Sequence, residues 1–155
     1  MAFINMTKLG WILFLFMSAV SATLSYQFII KGDTEIAADG RTIILLEESE
    51  RAFFLNEMRG FLIAVQQIID GIEKDDMQQI ATSARKVGTI GFASVPKSIV
   101  GKLPLATKKM GFATHQAFDQ MAMDAESLAD KEHTLSQLNQ ILSTCTACHS
   151  LYRLR

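Results

Sequence analysis

Apolar side chains recur at every third and fourth position over four stretches of the chain, with charged and amide residues between them. In the first stretch, from Ile44, Phe54, Leu55, Met58, Phe61, Leu62, Val65, Ile69 and Ile72 form a stripe, while Glu47, Glu48, Glu50, Glu57, Arg59 and Gln66 fill the gaps. That period predicts a long amphipathic helix ending near Gly71. In the second, Asp75 and Gln78 stand at capping-box spacing before the stripe Met77, Ile80, Ala81, Ala84 and Val87. Gly88, Gly91, Pro96, Gly101 and Pro104 then interrupt the pattern, predicting a long connection with a short helical turn around Pro96 to Val100. The third helix is expected from Leu105 to near Lys131. It carries Met110, Phe112, Ala113, Ala117, Phe118, Met121, Ala125 and Leu128 on one side and Asp119, Asp124, Glu126 and Asp130 on the other. Thr134 and Gln137 form a second capping-box pair, opening a fourth helix through Leu135, Leu138, Ile141, Leu142, Cys145 and His149. No stretch shows strand alternation. An all-α fold is expected, and an antiparallel four-helix bundle is the simplest way to bury four apolar stripes.

The N-terminal region has a different pattern. Lys8 precedes an apolar run from Leu9 to Ile30, and about 22 residues of helix span about 33 Å, enough for a bilayer core. The same run reads as a signal peptide, with Lys8 as basic flank, Leu9 to Met17 as apolar stretch and Val20-Ser21-Ala22 as cleavage site. Ser21, Thr23, Ser25, Tyr26 and Gln27 thin the run, and Phe28, Ile29 and Ile30 restore it before Lys31, which favours an uncleaved transmembrane anchor over a signal helix. Lys8 lies before the segment, while Asp33, Glu35 and Asp39 follow it, so either reading exports the rest of the chain. A buried core helix fits less well, because the run has no polar face. The expected organisation is residues 1–31 as anchor or signal, 32–41 as linker and 42–155 as one helical domain.

Composition narrows the function. A net charge of −1 over 155 residues, with no run of Lys and Arg interleaved with aromatics, does not support binding to nucleic acid. The chain has two cysteines, and both lie in Cys145-Thr146-Ala147-Cys148-His149. Two thiols at this spacing can each add across a haem vinyl group, and a His directly after the second is placed to ligate the iron. Of the rival readings, a redox Cys-x-x-Cys belongs near a βαβ pattern, which a helical chain lacks. A structural zinc site needs four ligands, and His115 or His133 would have to complete this set. A disulfide across three residues leaves His149 unexplained.

A haem attachment pentapeptide at the end of the last helix of a four-helix chain resembles the cytochrome c′ family, the class II c-type cytochromes. The resemblance covers roughly residues 42–155 and implies an up-down-up-down bundle with one covalently attached haem c on Cys145 and Cys148 and His149 as axial ligand. It also implies a basic residue of the first bundle helix near a haem propionate, and four residues later the side chain over the sixth iron position; Arg51 and Leu55 match that spacing. Low-spin relatives carry Met where Leu55 stands. Here Met58 lies one turn further along the helix, a sixth-ligand candidate because a thioether is a soft iron ligand. Met58 reads equally well as core filling in a chain with eight methionines.

The function implied is one-electron transfer, without enzymatic turnover, between redox partner proteins on the periplasmic side of a bacterial inner membrane, or in the periplasm if the N-terminal segment is removed. The alternative is a five-coordinate haem protein that binds nitric oxide or carbon monoxide as sensor or scavenger. Relatives often pair as dimers through their first helices. A peroxidase would need polar acid-base groups beside the iron, for which only His115 is evident, one turn before an Asp119 able to hold its second nitrogen. His133 is expected at the surface. Between Met77 and Phe118 there is no acid, whereas Arg85, Lys86, Lys97, Lys102, Lys108 and Lys109 are present, which offers either an ordinary solvated face or a docking patch for an electron partner.

Overall fold

The computed structural model describes residues 6–92 and 95–155. Residues 1–5 of the expected anchor and residues 93–94 of the long connection lie outside the described residues. The chain is 79% helical, with a small sheet of three strands. Helix α1, Met6–Ser25, runs without a break into a π-helical turn, Tyr26–Lys31. Lys8–Lys31 is apolar and long enough to span a membrane or serve as a signal sequence, and none of it is buried in the protein. Trp11, for instance, is 67% exposed, so the core-helix alternative does not hold.

The sheet corrects the expectation that strands are absent. Strand β1, Thr34–Ile36, pairs antiparallel with β2, Thr42–Ile44, and β3, Tyr152–Leu154, lies parallel on the other side of β2. Three-residue strands are too short for alternation to be legible. β1 falls inside the stretch expected as linker. Ile44, expected to open the first long helix, is instead a fully buried strand residue opposite Thr34 and Leu154.

Helix α2, Glu48–Lys74, begins where Glu47 and Glu50 form a capping box, the Glu47 N–H donating to Glu50 Oε2 at 3.0 Å. It ends three residues beyond Gly71, with Asp75 in the left-handed region at φ 58°. Asp75 therefore cannot cap the next helix. That role belongs to Asp76, whose carboxylate accepts from the Gln79 N–H at 2.8 Å at the start of α3, Met77–Lys86. Two short helices, α4 at Thr89–Phe92 and α5 at Lys97–Lys102, fill the connection. Only α5 was expected. Helix α6, Leu105–Ser127, starts at Leu105 as expected and ends earlier, before Ala129 at φ 50°. Helix α7, Lys131–Leu151, is capped by Asp130, which accepts from the Glu132 and His133 N–H groups, and not by Thr134. The Thr134 side chain is buried and donates to the Asp130 carbonyl at 3.0 Å.

The main core joins Ile68 of α2, Ile80, Ala81 and Ala84 of α3, Phe118, Met121, Ala122 and Ala125 of α6, and Leu138 and Ile141 of α7. A second, smaller core lies at the sheet end, where Ile44, Ile99 and Leu103 are packed with Phe53, Phe54, Tyr152 and Leu154. An ion pair borders it. Lys102 Nζ donates to Glu50 Oε2 at 2.6 Å, and this bond, followed by that from the Glu47 N–H, holds the Glu50 carboxyl below its ordinary 4.5. A depressed folded value means that the stabilisation is present at neutral pH and is lost as pH falls through that value. Glu50→Gln is therefore expected to flatten the acid loss of Tm below pH 4.5. Superimposable Tm profiles of parent and variant would show that the pair contributes nothing.

Candidate functional site

Helix α7 carries the whole pentapeptide in its last two turns. Cys145 and His149, four apart, share a side of the helix. Cys145 is half-buried against the main core, Cys148 is half-buried, and His149 is exposed together with Thr146 and Ala147. Both cysteines are free thiols. Burial pushes both thiols up, and for Cys148 the neighbouring Cys145 adds to the effect. A redox dithiol needs the opposite, a thiolate favoured by a helix N-terminus or a nearby cation, and these thiols sit at the C-terminal end of a helix, where the dipole disfavours negative charge. No group of three or more His, Cys, Asp or Glu able to hold a metal ion occurs among the described residues. A zinc reading therefore lacks its further ligands, whereas haem attachment needs one side-chain ligand from the protein.

The sheet brings the start of α2 to the pentapeptide's end of the molecule. β2 leads into α2, and β3, which follows directly on α7, pairs with β2 from Thr42↔Tyr152 to Ile44↔Leu154. Arg41 Nη1 also donates to the His149 carbonyl at 3.5 Å. Arg51, exposed, and Leu55 and Met58, both half-buried, therefore lie toward the same end as Cys145, Cys148 and His149. None of the three belongs to either core.

Each of the two helices carries an apolar line away from its bonded flank. Gln67 and Asp70 of α2 bond Gln79 of α3, fixing one flank of α2, and Gln137 of α7 bonds Asp124 of α6 at 2.7 Å, fixing one flank of α7. On the opposite flanks Leu55, Leu62 and Ile69 recur at seven-residue spacing, as do Leu135, Leu142 and His149. Among neighbouring long helices α2 and α7 are the least closely packed, and Leu62 stays 70% and Leu135 49% exposed. A hollow of about 260 Å³ runs along this part of α2, lined by Leu62, Val65 and Ile69 together with the polar Gln66, Asp70 and Glu73.

His115 is buried, and its Nδ1 lies 2.8 Å from the Val87 carbonyl and 3.1 Å from that of Gly88. Carbonyls only accept, so Nδ1 carries the hydrogen. Its ring sits 5.0 Å from that of Phe61. Asp119 does not hold it, contrary to expectation. Instead it accepts from the Thr89 N–H at 2.9 Å and the Thr89 hydroxyl at 2.6 Å, pinning the start of α4. Asp119→Ala is expected to cost ~1–2 kcal/mol, read as a lower urea midpoint. An unchanged midpoint would mean that α4 holds itself. His133 is at the surface as expected, 3.2 Å from Asp124.

Three of the six basic residues of the acid-free stretch are engaged within the molecule. Arg85 pairs with Glu126, Lys102 with Glu50, and Lys108 Nζ bonds the Phe28 and Ile29 carbonyls. These partners are distant in sequence, which is why a local charge count does not show them. Compared with models of known protein families, with curated proteins and with solved structures, the chain matches none of them.

Proposed function

We propose that this chain is a monohaem c-type cytochrome of the cytochrome c′ type that carries one electron at a time outside the cytoplasmic membrane, with α2, α3, α6 and α7 as an antiparallel four-helix bundle. The observation that carries the reading is the donor set: two free, half-buried thiols and an exposed His on the last turns of one helix, on a domain whose α2 and α7 leave Leu62, Leu135 and Leu142 exposed. These residues fit the group. Cys145 and Cys148 would hold it by two thioethers, and His149 would ligate the iron. When bound, haem c supplies an iron that cycles between ferrous and ferric states. Leu55, Leu62 and Leu142 would pack against the bound group, withdrawing it from water and lowering the dielectric around it, which tunes a potential without any proton-transfer residue. Arg51, exposed at the same end, offers a cation to a propionate.

A second reading, reversible binding of nitric oxide or carbon monoxide, is favoured by Leu55, which continues the apolar line of Leu62 and Ile69 and offers the iron no ligand. Met58, three residues from the core-packed Phe61, is the thioether that would close the site. The deciding experiment is the visible spectrum of the ferrous protein with and without carbon monoxide, on the parent and on Met58→Ala. A low-spin parent that ignores the gas, with a variant that takes it up, supports the electron carrier and makes Met58 the sixth ligand. Gas uptake by both favours the second reading. A purified chain with no haem spectrum refutes both.

A further inference from the structure

The joint between the apolar segment and the domain is built from specific contacts. Gly32, which follows the π-helical turn, is buried at φ +70°, a region that favours glycine, and a Cβ there would run into the Lys102 carbonyl and approach the Pro104 nitrogen to 2.7 Å. The Asp33 N–H donates to the Lys102 carbonyl at 2.8 Å, and the Asp33 carbonyl accepts from the Leu45 N–H at 3.0 Å, so the joint runs directly into the sheet end. From the first turn of α6, Lys108 Nζ donates to the Phe28 carbonyl at 3.1 Å and the Ile29 carbonyl at 3.3 Å. An ammonium group on the last carbonyls of a helix is where the dipole favours a cation.

We infer that the segment through Lys31 is a permanent anchor whose last turn belongs to the fold of the domain, and that this joint holds the domain in one pose with the start of α6 and the sheet end toward the bilayer. Cleavage after Ala22 would leave Phe28, Ile29 and Ile30, 45–59% exposed, on a product released to water, and would have to cut within continuous helix, whereas proteolysis favours exposed loops. The partner this end fits is a lipid surface. α7 returns to the same end, so the Cys145–His149 pentapeptide lies on the bilayer side of the domain, and an electron partner held in or on the membrane reaches it more directly than one approaching from the far end. The pose itself does not depend on the haem reading.

Amine labelling of the full chain in phospholipid nanodiscs tests it. Lys109 is exposed in the first turns of α6, and Lys131 is exposed at the start of α7, beyond the far end of α6, which lies about 27 Å further along the helix. Normalised to rates in denaturant, Lys109 is expected to be acetylated at least fivefold more slowly than Lys131. An eight-residue Gly-Ser insertion between Lys31 and Gly32 should bring the two within twofold, and Lys108→Met, which leaves the chain length unchanged, should move the ratio in the same direction. Equal ratios in the parent and both variants would overturn the fixed pose, and a mature mass beginning at Thr23 would overturn the permanent anchor. Both readouts are independent of haem, so they fail separately from the cytochrome reading.

Discussion

A chain in which Cys145 and Cys148 are both serine is expected to come through a denaturing gel with no covalently held haem, while the parent, matured in a host that attaches haem c, stains. The expectation follows from thioether chemistry, in which each bond needs a sulfur of its own. Serine is nearly isosteric and cannot form the bond. Single substitutions separate the two sites, because one thioether should survive each, leaving a stained band and a spectrum shifted by the one unreacted vinyl group. Cys145 lies against the core and Cys148 less so, so Cys145→Ser should cost more stability of the two. Haem retained after acid extraction of the double variant would rule out attachment at this motif. An unstained parent from a competent host would remove the cytochrome reading altogether.

Phe118→Ala is expected to be the most damaging single change to the fold. Its side chain is completely buried at the centre of the main core and stacked on Phe61 with ring centroids 5.5 Å apart. Truncation removes buried apolar surface and leaves a cavity that a helical core fills poorly, a loss of ~3–5 kcal/mol, against a typical total of ~5–15 kcal/mol. For a chain of this size that is a fall in Tm of roughly 6–20 °C. Phe118→Leu, which keeps most of the volume, should lose less than half as much. A Tm within about 2 °C of the parent for Phe118→Ala would mean that the main core is not the cooperative unit. Phe61 also lies against the His115 ring, so the same truncation is expected to loosen the contact of His115 with Val87 and Gly88.

The helical part of the fold was legible because its signal is long. α2 and α6 repeat their apolar positions over several turns, and such a period survives a few misplaced residues. Their ends were less legible. Asp75 and Asp76 carry the same capping chemistry, and only the left-handed backbone at Asp75 decides between them. Thr134 looked like a cap because Gln137 follows at the right spacing, whereas Asp130 had already started the helix. The pentapeptide was legible in full because its residues are contiguous. Its surroundings were not: the approach of α2 to α7 rests on β2 and β3, whose pairing no local pattern announces, and the engagement of Lys102 and Lys108 rests on partners far away in the chain.

The parallel pairing of β2 with β3 bears on the order of events during assembly. Its partners are separated by about 110 residues, and closing so long a loop is entropically costly before other contacts exist, so contacts of this kind form late in folding. α2, α3 and α6 can associate through contacts closer in sequence while the end of α7 is still unpinned. On the proposed cytochrome reading, a haem-attaching enzyme would reach Cys145 and Cys148 during that interval, before Tyr152–Leu154 zips onto Thr42–Ile44. Loading would then precede closure, and a chain that folded first would offer the enzyme thiols already half-buried.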